Sequence, residues 1–119
     1  MQFAEIRKTI DLPRMTRYSG DGNFHSDEEA AKKVGLSGAI VQGGQLAGYL
    51  SEMMIATFGK RYLESGEIAV SFIKTVKAGE TVVTKGEVTE TEAGRMHCDV
   101  WLENQQGEKV TVGKASVGA

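Results

Sequence analysis

The sequence is short of the residues that cross-link a chain or hold a metal. Cys98 is its only cysteine, so no intrachain disulfide can form. With two histidines, His25 and His97, no Cys/His cluster has the spacing of a zinc site. Neither sign of charge dominates: 14 Lys and Arg stand against 16 Asp and Glu, for a net charge of −2. That excludes the clustered cations a nucleic-acid surface needs for its phosphate contacts. No apolar run reaches the length of a membrane span. Glu5, Arg7 and Lys8 interrupt the N-terminal stretch where the apolar core of a secretion signal would lie. The expectation is a cytoplasmic protein that binds neither membrane nor nucleic acid. No Rossmann glycine pattern follows a strand and no P-loop is present, so no nucleotide cofactor is expected. Repeats and low-complexity tracts are absent too.

What is abundant is glycine. The chain has 15 where ordinary usage gives about 8, but only one proline, Pro13. Glycine without proline points to tight turns and close backbone approaches rather than to disorder. A length of 119 residues predicts a single domain over 1–119, burying roughly two-thirds of its unfolded surface.

The hydrophobic pattern divides the chain. Residues 2–10 alternate loosely and predict a first strand; Pro13 ends it, and 14–18 form a short helical turn. Residues 19–25 are loop. In "SDEE", Ser26 and Glu29 form a capping box that opens a short helix, with Lys32, Lys33 and Gly35 at its far end. "LSGAIVQ" crosses over to Gly43-Gly44, after which Leu46, Leu50, Met53, Met54 and Phe58 recur at helical spacing. A helix over 43–58 is about 24 Å long, and Gly59 ends it. From residue 66 the pattern turns to β. "EIAVSFIKTV" is apolar on both faces in its middle and reads as a central strand. "TVVTKGEVTET", "RMHCDVWLEN" and "KVTVGKASV" follow, joined by short turns, and predict an antiparallel meander. Cys98 alternates with Val100 and Leu102 and reads as a buried thiol, while His97 falls on the polar face. Trp101 also falls on the polar face, either half-covered at the surface or in a subunit contact. One long apolar helix beside one sheet predicts an α+β fold in which the sheet curls around the helix, the hotdog arrangement. Its edge strands invite pairing with a second copy.

The stretch "YSGDGNFHSDEEAAKKVGLSGAIVQGGQLAGYLSEMM" resembles the MaoC-like dehydratases, which include the (R)-specific enoyl-CoA hydratases. Ser19, Gly20, Asp21, Asn23, His25, Asp27, Ala30, Gly35, Ile40 and Gly43 match that family's pattern, and "TVKAGETV" and "NQQGEKVTVGKASV" look like its strand ends. The chain departs in one place. The family has a proline and one more residue between Asn and His, whereas only Phe24 stands there, so Asp21 and His25 are four apart.

The resemblance implies reversible addition of water to a trans-2-enoyl thioester, carried by CoA or acyl carrier protein, as in fatty acid metabolism. His25 and Asp21 are the implied acid/base pair; a histidine suits because an imidazole titrates near neutrality. Asn23 would brace the loop. The Gly43 N–H, unpaired at a helix start, would meet the charge growing on the thioester oxygen, with Gly44 a second donor. Leu46 and Leu50 would line the acyl path. Taken alone, a glycine pair before a helix is more often a hinge or a close-packing device than a pair of such donors. The implied assembly is a homodimer or a dimer of dimers. Two rivals stand beside this reading. "QGGQLAGYLSE" looks partly like the helix start of hotdog thioesterases, with Gln42 in place of histidine and Glu52 as the acid; the other rival is a non-catalytic member of the family.

Overall fold

The computed structural model describes residues 1–36 and 38–118. Along the chain run β1 (Arg7–Thr9), α1 (Leu12–Ser19), α2 (Glu28–Lys33), α3 (Gly43–Phe58), α4 (Lys60–Ser65), β2 (Glu67–Phe72), β3 (Thr81–Glu92), β4 (Arg95–Asn104) and β5 (Lys109–Gly118). The strands form one antiparallel sheet in the order β1-β3-β4-β5-β2. The α+β arrangement is the one expected, a sheet curled over one long helix.

α3 begins and ends where its sequence pattern does. Its periodic residues Leu46, Leu50, Met53, Met54 and Phe58 are all buried, together with Gln45 and Tyr49. Each large apolar side chain so placed contributes about 1.5–3 kcal/mol relative to exposure. Gly59 stops the helix at φ 60°, a left-handed conformation that a β-carbon disfavours, and its N–H bonds the Ile55 carbonyl at 2.7 Å. The facing layer comes from alternate sheet positions, among them Val82 and Thr84 on β3, Cys98, Val100 and Leu102 on β4, and Thr111, Ala115 and Val117 on β5. β3, β4 and β5 are the expected meander; Ala93 and Gly94, both at positive φ, turn the first hairpin. No helix among the described residues is long and apolar enough to cross a membrane.

Four local expectations are corrected. The first strand is short, because over residues 4–6 the Thr84 hydroxyl shares the pairing: it accepts the Ile6 N–H at 2.8 Å and donates to the Ala4 carbonyl at 3.1 Å. The cap of α2 is Asp27, not Ser26. The Asn23 carbonyl accepts the N–H groups of both Ser26 and Asp27, and this turn draws Ser26 inside. The Asp27 carboxylate is left to accept from Glu29 and Ala30. A further helix, α4, follows Gly59 where no element was expected. Finally, β2 is an edge strand: Ile68 and Val70 pack on the core, but Ala69, Ser71 and Phe72 are exposed. Its apolar residues suggested a centre that the three meander strands occupy.

Candidate active site

The glycine-rich loop is folded around Asn23. Gly20 and Gly22 take positive φ, 81° and 75°, and let the chain reverse after α1. The Asn23 amide then fastens the turn: its Nδ2 donates to the Ser19 carbonyl at 2.8 Å, and its Oδ1 accepts the His25 N–H at 2.9 Å. Two further bonds clamp the loop to the crossover segment. The Ile40 N–H donates to the Phe24 carbonyl, and His25 Nδ1 meets the Ile40 carbonyl, each at 3.0 Å. A carbonyl oxygen can only accept, so Nδ1 carries the proton and, in the neutral ring, Nε2 is bare. The Phe24 ring lies on the imidazole with centroids 4.1 Å apart. A local Asn turn thus converts a flexible stretch into a fixed imidazole of defined tautomer.

The second wall is the start of α3. Gln42 precedes it and makes no side-chain cap; its Oε1 accepts instead from Ser19 Oγ at 3.1 Å, tying α3 to the end of α1. The Gly43 N–H makes no hydrogen bond among the described residues, as the first turn of a helix dictates. Two aromatic side chains approach these glycines closely. A β-carbon on Gly43 would stand 2.8 Å from the Phe72 ring tip, and one on Gly44 would stand 2.4 Å from the Tyr18 hydroxyl.

Between these walls lies a cavity of about 270 Å³, lined by His25, Ile40, Val41, Gly43, Leu46, Phe72, Ile73, Lys74 and Thr75. Of the residues expected at the site, His25, Gly43 and Leu46 share this cavity. Asn23 stands behind it as the brace. Asp21 is exposed on the loop and lies outside the lining, as does the exposed Gly44. Leu50 is buried in the core, also outside the lining. Phe72 ends β2 and Ile73, Lys74 and Thr75 follow it; none is singled out by the sequence, and an apolar pair left exposed at the end of a strand is the signal that could have found them. Lys74 is ion-paired with Glu108, and this bond, followed by one from Asn104, holds the Glu108 carboxyl below its usual range. Glu52, the acid of the thioesterase rival, is exposed and pairs with Lys8 at 3.3 Å, away from the cavity.

A larger hollow, about 380 Å³, lies on the outer face of the sheet beside Trp101, Lys109, Asp99 and Lys114. Its charges are already engaged: Lys114 bonds Asp99 at 2.5 Å, and the Lys109 ammonium sits 4.4 Å from the centre of the Trp101 ring. Trp101 is half-covered and donates to Glu103. This hollow has no imidazole and no unpaired helix start, so the smaller cavity is the one equipped for chemistry. Among the described residues, no group of three His, Cys, Asp or Glu side chains converges as a metal site would require.

The family model described as MaoC like domain matches residues 7–110. The chain belongs to the MaoC-like domain family. Solved structures agree with the assignment. The R-hydratase PhaJ1 from Pseudomonas aeruginosa superposes with a TM-score of 0.75 at 28% identity, over 99% of this chain and 79% of that one. The (R)-hydratase from A. caviae, described as involved in PHA biosynthesis, gives 0.80 at 22%, over 98% and 93%. A chain of the ChsH1-ChsH2 complex from Mycobacterium tuberculosis gives 0.81 at 18%, over 99% and 97%. At these last two identities the likeness establishes the fold alone. No curated protein sequence matches the chain. For this MaoC-like chain the hydratase or dehydratase class is thus supported at the level of the family, and the loop bearing His25 and the start of α3 both fall within the matched residues.

Proposed function

We propose that this MaoC-like protein is a hydro-lyase that reversibly adds water to a trans-2-enoyl thioester, giving the 3-hydroxyacyl thioester. One observation carries the reading. An imidazole with a bare Nε2 and a helix-leading N–H without a partner line the same small apolar cavity. In the addition, a water held by His25 Nε2 attacks C3 and gives up a proton to that nitrogen. The electrons of the C2–C3 double bond move onto the thioester oxygen, where the Gly43 N–H and the positive end of α3 meet the charge. His25 then delivers its proton to C2, and the carbonyl re-forms. Water supplies both the hydroxyl on C3 and the hydrogen on C2, so one imidazole closes the proton balance. General acid/base catalysis of this kind is worth about 10²–10⁴ in rate, and one oxyanion donor about 3 kcal/mol.

In this reading Asn23 fixes the loop, Leu46 bounds the acyl group, and Asp21 on the solvent side is not needed for proton transfer. The carrier is CoA or acyl carrier protein, the setting is cytoplasmic fatty acid metabolism, and a second copy covers the free edge of β2 to make a homodimer. The test is incubation with crotonyl-CoA and with hexanoyl-CoA, following loss of enoyl absorbance and release of free thiol. Loss of absorbance without thiol is the expected result. Thiol release without hydration would make the protein a thioesterase, and neither signal would make it a non-catalytic member.

A further inference from the structure

Leu50 was expected beside the acyl chain and lies instead in the core, with consequences for which thioesters fit. The cavity begins at the Gly43 amide and, along α3, reaches only Leu46. These residues are one turn apart, about 4.5 Å of helix axis. Leu46 is 2% exposed, and Leu50, the next residue on the same stripe, is 0% exposed and contributes nothing to the lining. The hollow therefore stops where a longer channel along the helix would continue. On the sheet side it is bounded by Phe72, whose ring tip lies against the Gly43 α-carbon. Phe72 Cζ and Cε2 stand 2.8 and 2.9 Å from where a β-carbon on Gly43 would be. The contact is possible only because residue 43 is glycine. It fixes how much room remains beside the N–H to which the thioester oxygen is assigned.

We propose that Phe72 is a specificity-determining residue and that the site selects short acyl groups. The proposal rests on the hydro-lyase reading for its chemistry, but the size limit itself is geometric. A thioester carbon at the Gly43 amide leaves about three carbon–carbon bonds, near 1.5 Å each, before Leu46, which suits a four-carbon acyl group. Lys74 and Thr75 are polar members of the lining, and the carrier arm is assigned to their side. The acyl group is thus directed towards Leu46, Val41 and Phe72.

The experiment measures kcat/KM for crotonyl-, hexenoyl- and octenoyl-CoA with the wild type, Phe72→Ala and Phe72→Leu. The wild type is expected to favour the four-carbon over the eight-carbon substrate at least tenfold. Phe72→Ala is expected to reduce that ratio at least tenfold, with Phe72→Leu between the two. Urea midpoints check that both variants fold, and gel filtration checks that they assemble as the wild type does. A wild type that takes octenoyl-CoA as readily as crotonyl-CoA overturns the proposal, and so does a ratio that Phe72→Ala leaves unmoved. Calorimetric binding of butyryl- and octanoyl-CoA is the second readout. A preference for butyryl-CoA that Phe72→Ala relaxes upholds the size limit even where no enoyl thioester is hydrated, so failure of the reaction and failure of the size limit are told apart. Equal binding of the two by the wild type counts against the limit.

Discussion

Replacing Leu50 by alanine separates a core residue from a substrate-lining one. Leu50 sits midway along α3 with no exposed surface, in one cluster with Met53, Met54, Val100 and Leu102. The substitution removes three carbons, worth about 0.8 kcal/mol each in lost transfer energy, or about 2.4 kcal/mol. If half of a vacated volume of roughly 80 Å³ stays open, the cavity adds about 1 kcal/mol at 24 cal/mol per Å³. The total is about 3.4 kcal/mol. For 119 residues the unfolding entropy near the midpoint is about 0.25 kcal/mol/K, so Tm should fall by about 14 °C. Thermal unfolding followed by far-UV circular dichroism measures this directly. The ratio of four-carbon to eight-carbon turnover, measured on the same protein below its Tm, should not change. A loss under about 4 °C together with a changed chain-length ratio would refute the reasoning and return Leu50 to the acyl path.

Other outcomes follow from the same packing and charge arrangement. Thr84→Val keeps the shape of a fully buried side chain but strips the partner from the Ile6 N–H, and should cost about 1–3 kcal/mol in urea unfolding. A loss within experimental error would mean that residues 4–6 are not held by that hydroxyl. Burial, and secondarily Asp99, push the Cys98 thiol up, so its labelling by a disulfide reagent at neutral pH should wait for global unfolding; rapid labelling of the native protein would contradict this. Lys74 holds the exposed Glu108 carboxyl below its unfolded value, so the stability it adds is present above that value and lost as pH falls through the lowered folded one. Glu108→Gln should accordingly make acid unfolding slightly less steep while leaving thermal stability at pH 7 nearly unchanged. Asp21→Ala should cost less than tenfold in hydration, because Asp21 lies outside the cavity lining; a larger loss would restore Asp21 to the chemistry.

The parts of the molecule legible in the sequence are those set by local periodicity. α3 was bounded correctly because its apolar stripe, its glycine start and Gly59 act within the helix itself. The meander of β3, β4 and β5 was legible from its turns. Contacts between distant segments were not. Ser26 and Asp27 are both good caps, and only the Asn23 carbonyl decides between them. β2 looked central by composition, and its place at the edge depends on β5 already pairing with β4. The site divides in the same way. His25 and Gly43 stood out as residue types at motif positions. Phe72 reaches Gly43 only through the register that sets it opposite Thr111 on β5. Leu50 shares the stripe of Leu46, and periodicity alone cannot tell the lining of a cavity from the core one turn below it.

The account stands on His25 and the Gly43 amide acting together in one cavity. The most direct test is the initial rate of crotonyl-CoA hydration by the wild type and by His25→Ala, with circular dichroism to establish that the variant is folded. The expected result is clear hydration by the wild type and a loss of about 10²–10⁴ in the folded variant. A wild type that hydrates no enoyl thioester, or a His25→Ala variant within tenfold of it, would contradict the account.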